Sequence, residues 1–64
     1  METLGQKLKY LRKEAGLTQT ELAEIFFVDK STIAKYETDK IDVGFQMLKK
    51  YANYFNVSLA YFDE

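Results

Sequence analysis

The chain contains no cysteine and no histidine. It can close no disulfide and assemble no ordinary zinc site. It also has no proline and only three glycines in 64 residues, so no stretch has the composition of a disordered linker. Long apolar runs are missing as well. None approaches the ~20 residues that span a bilayer, and no signal-peptide pattern opens the chain. The lack of cysteine is compatible with a reducing compartment, and the expected location is cytoplasmic. Without His, Cys or a serine beside an obvious base, no catalytic constellation can be drawn, and no Gly-rich phosphate loop is present. The adjacent acids Asp63 and Glu64 read as solvated terminal groups. These absences predict a protein that is not an enzyme, with no cofactor, no metal and no small-molecule site.

At 64 residues the chain is one domain over residues 1–64, either a whole protein or the N-terminal part of a longer one. A domain this small buries only about 60% of the surface its unfolded chain exposes, so its stability is marginal. With no staple available, the core must come from helix packing, helped by any partner.

Net charge is −1, from nine basic and ten acidic residues. That balance lacks the basic footprint of a dedicated nucleic-acid binder. The charges are unevenly placed, however. Residues 1–16 hold Lys7, Lys9, Arg12 and Lys13 against Glu2 and Glu14, a local excess of positive charge. Residues 29–42 hold Lys30, Lys35 and Lys40 against Asp29, Glu37, Asp39 and Asp42.

Apolar periodicity predicts short helices throughout. Leu4, Leu8, Leu11 and Ala15 form one stripe, with Thr3 as N-cap, Gln6 returning the bond and Gly16 as the left-handed stop. "TQTE" repeats the capping box with Thr18 and Glu21, ahead of Leu22, Ala23 and Phe26. Asp29 reads as the cap of a third helix carrying Ile33 and Tyr36. After the loop "TDKIDV", a fourth helix has Phe45, Leu48, Ala52 and Phe55 on one stripe and Met47, Tyr51 and Tyr54 beside it. Ser58 opens a last short helix with Leu59 and Phe62. The expected fold is all-α, a compact bundle of five helices.

The second and third helices are joined within about three residues. Ala23 is small enough for two helices to cross closely, Val28 can plug the turn, and Ile33 can anchor the third helix. Small residue, turn apolar and core β-branched residue in that order form a helix-turn-helix signal. Major-groove reading requires one helix across the backbone and the next with its N-terminal residues at base edges. The polar Thr18, Gln19 and Thr20 open the second helix. Lys30, Ser31 and Thr32 open the third.

Three segments in order, "LGQKLKYLRKEAGLTQTELAE", "VDKSTIAKYE" and "YFNVSLAYF", resemble the Cro and repressor-type (XRE-like) helix-turn-helix family of phage and bacterial regulators. The resemblance runs from Leu4 to Phe62. It implies a phage-repressor fold and sequence-specific binding to a double-stranded DNA operator, palindromic and met by a homodimer, at least on DNA. It also implies repressor-like control of transcription. By position it assigns base contact to Lys30, Ser31 and Lys35, to which side-chain chemistry adds Ala34. It assigns phosphate contact to Gln19 and Lys40, and a structural clamp between helices to Arg12 and Glu37. It matches Thr32 and Thr38 to positions that touch backbone or bases, read here as phosphate contacts. The polar Thr18 at the helix start is also suited to phosphate. Side-chain chemistry agrees. Lysine can donate to guanine N7 and O6, though without the planar fork of arginine, serine bonds either base type, and alanine can touch a thymine methyl. Each assignment has a plainer alternative: a solvated helix face for Lys30, Ser31 and Lys35, a first-turn polar residue for Gln19, and a surface pair worth ~0–1 kcal/mol for Arg12–Glu37.

Three departures from the family pattern stand out. Phe27 occupies the turn position usually held by glycine, which means either a strained left-handed residue, at about 1–3 kcal/mol, or a different turn. Asp39 follows the third helix where glycine is common. "IDVGF" replaces a loop that commonly carries proline and basic residues, leaving Asp39 and Asp42 to oppose phosphate. Large apolar side chains beyond the main stripes suggest a homodimer surface around Met47, Tyr54, Tyr61 and Phe62. The rival function is a protein-interaction module that keeps the fold and binds DNA weakly.

Overall fold

Two capping boxes start the first two helices. The structure, a computed structural model, describes residues 2–63; Met1 and Glu64, the ends of the predicted domain, lie outside the described residues. Helix α1 is Leu4–Glu14 and α2 is Gln19–Phe26. The Gln6 amide donates to the Thr3 hydroxyl (3.2 Å) while Thr3 N–H donates to Gln6 Oε1 (2.8 Å). Thr18 and Glu21 repeat the exchange at 3.0 and 2.8 Å. Helix α3 is Lys30–Glu37 and α4 is Phe45–Phe55. Asp29 has the backbone of an N-cap, but its exposed side chain makes no capping bond.

The predicted fifth helix is the main correction. Leu59–Asp63 form a 3₁₀ helix, so the architecture is four α-helices and one 3₁₀ helix rather than a five-helix bundle. Tyr61 N–H donates to the Ser58 carbonyl at 3.1 Å, an i to i+3 bond. Five residues with none buried gain too little from packing to offset the nucleation of an α-helix, and the tighter helix is the usual form of such short pieces.

Residues in the left-handed region follow all four α-helices: Gly16 (φ 73°), Phe27 (φ 59°), Asp39 (φ 60°) and Asn56 (φ 58°). Each stop returns orphan carbonyls to the backbone. Val28 N–H reaches the Ala23 carbonyl at 3.0 Å, and Val57 N–H reaches that of Ala52 at 3.0 Å. Of the two readings of Phe27, the strained left-handed residue is therefore the one found. Its side chain is 91% exposed. Removing that side chain costs no packing and relieves ~1–2 kcal/mol of left-handed strain, against ~0.4–1 kcal/mol of added chain entropy in the unfolded state. Phe27→Gly is thus expected to keep the fold and raise the melting temperature by a few degrees, about 4–8 °C per kcal/mol at this size. A lower melting temperature would show that the ring packs against the domain.

Leu8, Leu22, Ile33 and Tyr51 are fully buried and, with Ala23 and Phe26, form the core. Helix α3 packs against both α1 and α2, while the 3₁₀ helix covers α1 and α4. The exposed end of α1 includes Ala15, the helix cap, rather than burying it. In α4 Ala52 of the main stripe and Tyr51 of the neighbouring one are buried, and Leu48, Phe55 and Met47 pack against the core. Phe45, the first residue of that helix, is exposed. The Tyr51 ring meets Phe26 edge-on at 4.9 Å and stacks on Phe55 at 5.9 Å. Its hydroxyl has no hydrogen-bond partner among the described residues. Burial, reinforced by the nearby Glu37 carboxylate, pushes the phenol above its ordinary range, so it stays protonated. An unsatisfied buried hydroxyl is destabilising, so Tyr51→Phe is expected to hold stability or raise it by about 1 kcal/mol in urea unfolding. A loss of that size would mean that the hydroxyl is bonded.

Gly5 brings α1 against the end of α3. A Cβ at this position would lie 2.6 Å from the carbonyl oxygens of both Tyr36 and Glu37. The Gly5 N–H donates to Asp39 Oδ1 at 2.9 Å. Asp39, read from sequence as a group that opposes phosphate, thus also satisfies an orphan amide in the first turn of α1.

Candidate nucleic-acid interface

Arg12 and Glu37 hold the interface together. Arg12 Nε donates to Glu37 Oε2 at 2.6 Å and Nη2 donates to Oε1 at 3.0 Å, a two-pronged pair. The side chains are 8% and 1% exposed. Arg12 Nη1 also donates to the Leu17 carbonyl at 2.7 Å, just ahead of the α2 cap. The pair is therefore buried, and the solvated surface-pair alternative does not apply. Gln19 joins the same group, donating from Nε2 to Glu37 Oε1 at 3.1 Å.

This arrangement fixes the start of α2 over the end of α3. Beside it lies a shallow, open concavity of about 780 Å³, lined by Arg12, Lys13, Thr18, Gln19, Thr20 and Lys30 among others. Sequence reading placed Gln19, Thr18 and Lys30 in the site, and the structure brings those three to one surface. Lys13 was not among the expected site residues. Its only signal in the sequence was the positive excess of residues 1–16.

On α3, Lys30, Ser31 and Lys35 are exposed, while Thr32 and Ala34 are half-buried. Lys35 and Lys40 are exposed but do not line the concavity. The Thr38 hydroxyl donates to the Ala34 carbonyl at 2.8 Å, closing the end of its own helix. The exposed Asp29 lies next in sequence to Lys30.

The four residues expected at a dimer surface occupy different environments. Met47 and Phe62 pack against the core. Tyr61 lies against Lys7, whose Nζ donates to the Tyr61 carbonyl at 3.2 Å. Tyr54 is half-exposed, edge-on to Phe26 and Phe55. Phe45, read from sequence as part of the main stripe of the fourth helix, and Leu59 are exposed and line a groove with Leu48, Ala60, Phe62 and Asp63. No helix among the described residues is long and apolar enough to cross a membrane. Among the described residues, no group of three or more His, Cys, Asp or Glu side chains is placed to hold a metal.

The helix-turn-helix family profile matches residues 8–62, which include all of α2, the turn and α3. The chain belongs to the helix-turn-helix family. It is similar to the HTH-type transcriptional regulator ImmR of Bacillus subtilis (strain 168), with 39% identity over 59 residues. That match covers 92% of this chain and 46% of ImmR, so the chain spans about half the length of this relative. It is also similar to the crystal structure of SinR, a master regulator for biofilm formation, in complex with DNA. There the TM-score is 0.85 at 32% identity, covering 97% of this chain and 100% of that one. The helix-turn-helix unit is thus Gln19–Glu37, with Phe27 at its turn and Arg12 of α1 locked to its last residue.

Proposed function

We propose that this chain is a sequence-specific DNA-binding transcriptional regulator, repressor-like, that lays α3 in the major groove of a duplex operator. The observation that carries the reading is the surface shared by the start of α2 and the start of α3. Gln19, Lys30 and Lys13 face one concavity, and Ser31 and Lys35 continue along the exposed side of α3. Backbone N–H groups at the α2 terminus favour phosphate. Lys30, Ser31, Ala34 and Lys35 are the base-contacting set. Thr18, Gln19, Thr32, Thr38 and Lys40 meet the backbone, joined by Lys13.

Selection of bound sites from random duplex DNA at two salt concentrations tests the reading. Lys30→Ala is expected to cost about 1–3 kcal/mol at the selected site and to relax preference at one base pair. Lys13→Ala should weaken all sequences alike and lower the salt slope by about 1. Unchanged site preference in Lys30→Ala would remove that residue from the readout.

A homodimer on a two-fold operator is part of the same reading, supported by the exposed Tyr54, Phe45 and Leu59. Sedimentation that shows only monomer at high micromolar concentration, with and without the selected operator, would overturn it. One observation favours the rival interaction module: a 91% exposed phenylalanine at the tip of the turn. Failure to enrich any duplex at low salt would favour that module over DNA binding.

A further inference from the structure

We infer that Glu37 is a positioning residue for DNA contact: it sets the orientation of the Gln19 amide at the start of α2 and ties that contact to α1 through Arg12. The inference rests on the DNA-binding reading above. A carboxylate carries no hydrogen to donate, so only the NH₂ end of the Gln19 amide can face it. Glu37 Oε1 accepts from both Gln19 Nε2 (3.1 Å) and Arg12 Nη2 (3.0 Å), while Oε2 accepts from Arg12 Nε (2.6 Å). One N–H of the amide is committed inward, which leaves the second N–H as the side-chain donor for an anion in the concavity. The reversed amide would set its oxygen against the carboxylate. Arg12 bonds the Leu17 carbonyl as well, so the chain entering α2 and the side chain of its first residue are held by one ion pair. A clamp serving stability alone needs only Arg12 and Glu37. The third bond, to a half-buried residue at the rim of the concavity, carries the pair's geometry to the surface.

A double-mutant cycle on operator affinity tests this, using the site selected as described above. Gln19→Ala is expected to lower affinity about tenfold, the loss of one hydrogen bond to a charged group. Glu37→Gln replaces an obligate acceptor with an amide that can face Gln19 either way. It should lower affinity several-fold when Gln19 is present and leave it unchanged in the Gln19→Ala background, in the folded protein at low temperature. Equal losses in both backgrounds would overturn the inference and leave Glu37 a clamp only. Absence of binding by the wild type to any duplex would overturn the DNA-binding reading and the inference with it. A second measurement needs neither DNA nor the Glu37 variant. In ¹⁵N-labelled wild type, the Gln19 side-chain amide, assigned by its loss in Gln19→Ala, should show one proton displaced and slow to exchange. Two protons at free-glutamine positions would overturn the link.

Discussion

Arg12→Ala is expected to destabilise the domain by about 3–5 kcal/mol, because it strands the Glu37 carboxylate in the interior. Glu37 is 1% exposed, and Arg12 supplies two of its three hydrogen bonds. The Leu17 carbonyl loses its donor in the same substitution. A domain of this size holds roughly 3–10 kcal/mol in all, so much or all of its margin would be lost. Urea unfolding followed by circular dichroism reads the effect directly. The double replacement Arg12→Met with Glu37→Leu is the informative companion. Removing both charges restores an uncharged interior, so it should recover most of the lost stability, as buried pairs replaced by apolar residues often do. A loss below 1 kcal/mol in Arg12→Ala would place the pair with solvated surface pairs.

Gly5→Ala is expected to be the most damaging single methyl in the chain, at about 1–3 kcal/mol or more. The added carbon would lie 2.6 Å from two backbone oxygens at the end of α3. Backbone cannot rotate aside as a side chain can, so α1 and α3 must separate. Their separation stretches the Gly5–Asp39 bond and the Arg12–Glu37 pair together. The better helix propensity of alanine, about 1 kcal/mol, offsets only part of this. Gly44 is the control, since a Cβ there meets nothing within 4 Å. Gly44→Ala replaces a favoured N-cap residue by a poor one and should cost about 0.5–1 kcal/mol, less than the loss at Gly5. If both variants melt at the wild-type temperature, the helices do not approach as closely as the structure shows.

Local chemistry made most of the helix-turn-helix unit readable in advance. Thr3–Gln6 and Thr18–Glu21 are short-range exchanges, and both form as their spacing predicts. Gly16 and Leu17 end α1 by the same local logic. Ala23, Val28 and Ile33 take their places because crossing distance, turn filling and anchoring depend on side-chain size. What periodicity could not supply was long-range. Which carbonyls Gly5 approaches, and that Asp39 serves α1, depend on residues more than 30 apart in the chain. The edge-on contact of Tyr51 with Phe26 of α2, and the exposure of Phe45 at the start of α4, depend on where α2 lies. Lys50 of α4 donates to the Phe26 carbonyl at 3.4 Å, a contact no pattern marks. The last short element reads from sequence as a fifth helix because a capping serine and two apolar residues look the same before five residues of either helix type.

Phe27 also bears on how the sequence could change over time. Its ring is outside the core and its backbone is strained, so glycine there adds stability without altering any packed residue. Stability changes at distant sites add nearly independently. Phe27→Gly would therefore act as a general suppressor, tolerating a loss elsewhere comparable to a mild core truncation, ~0.5–1.5 kcal/mol for an isoleucine cut to valine. Position 27 is a permissive site: one substitution at an exposed turn widens the range of changes the remaining residues can absorb.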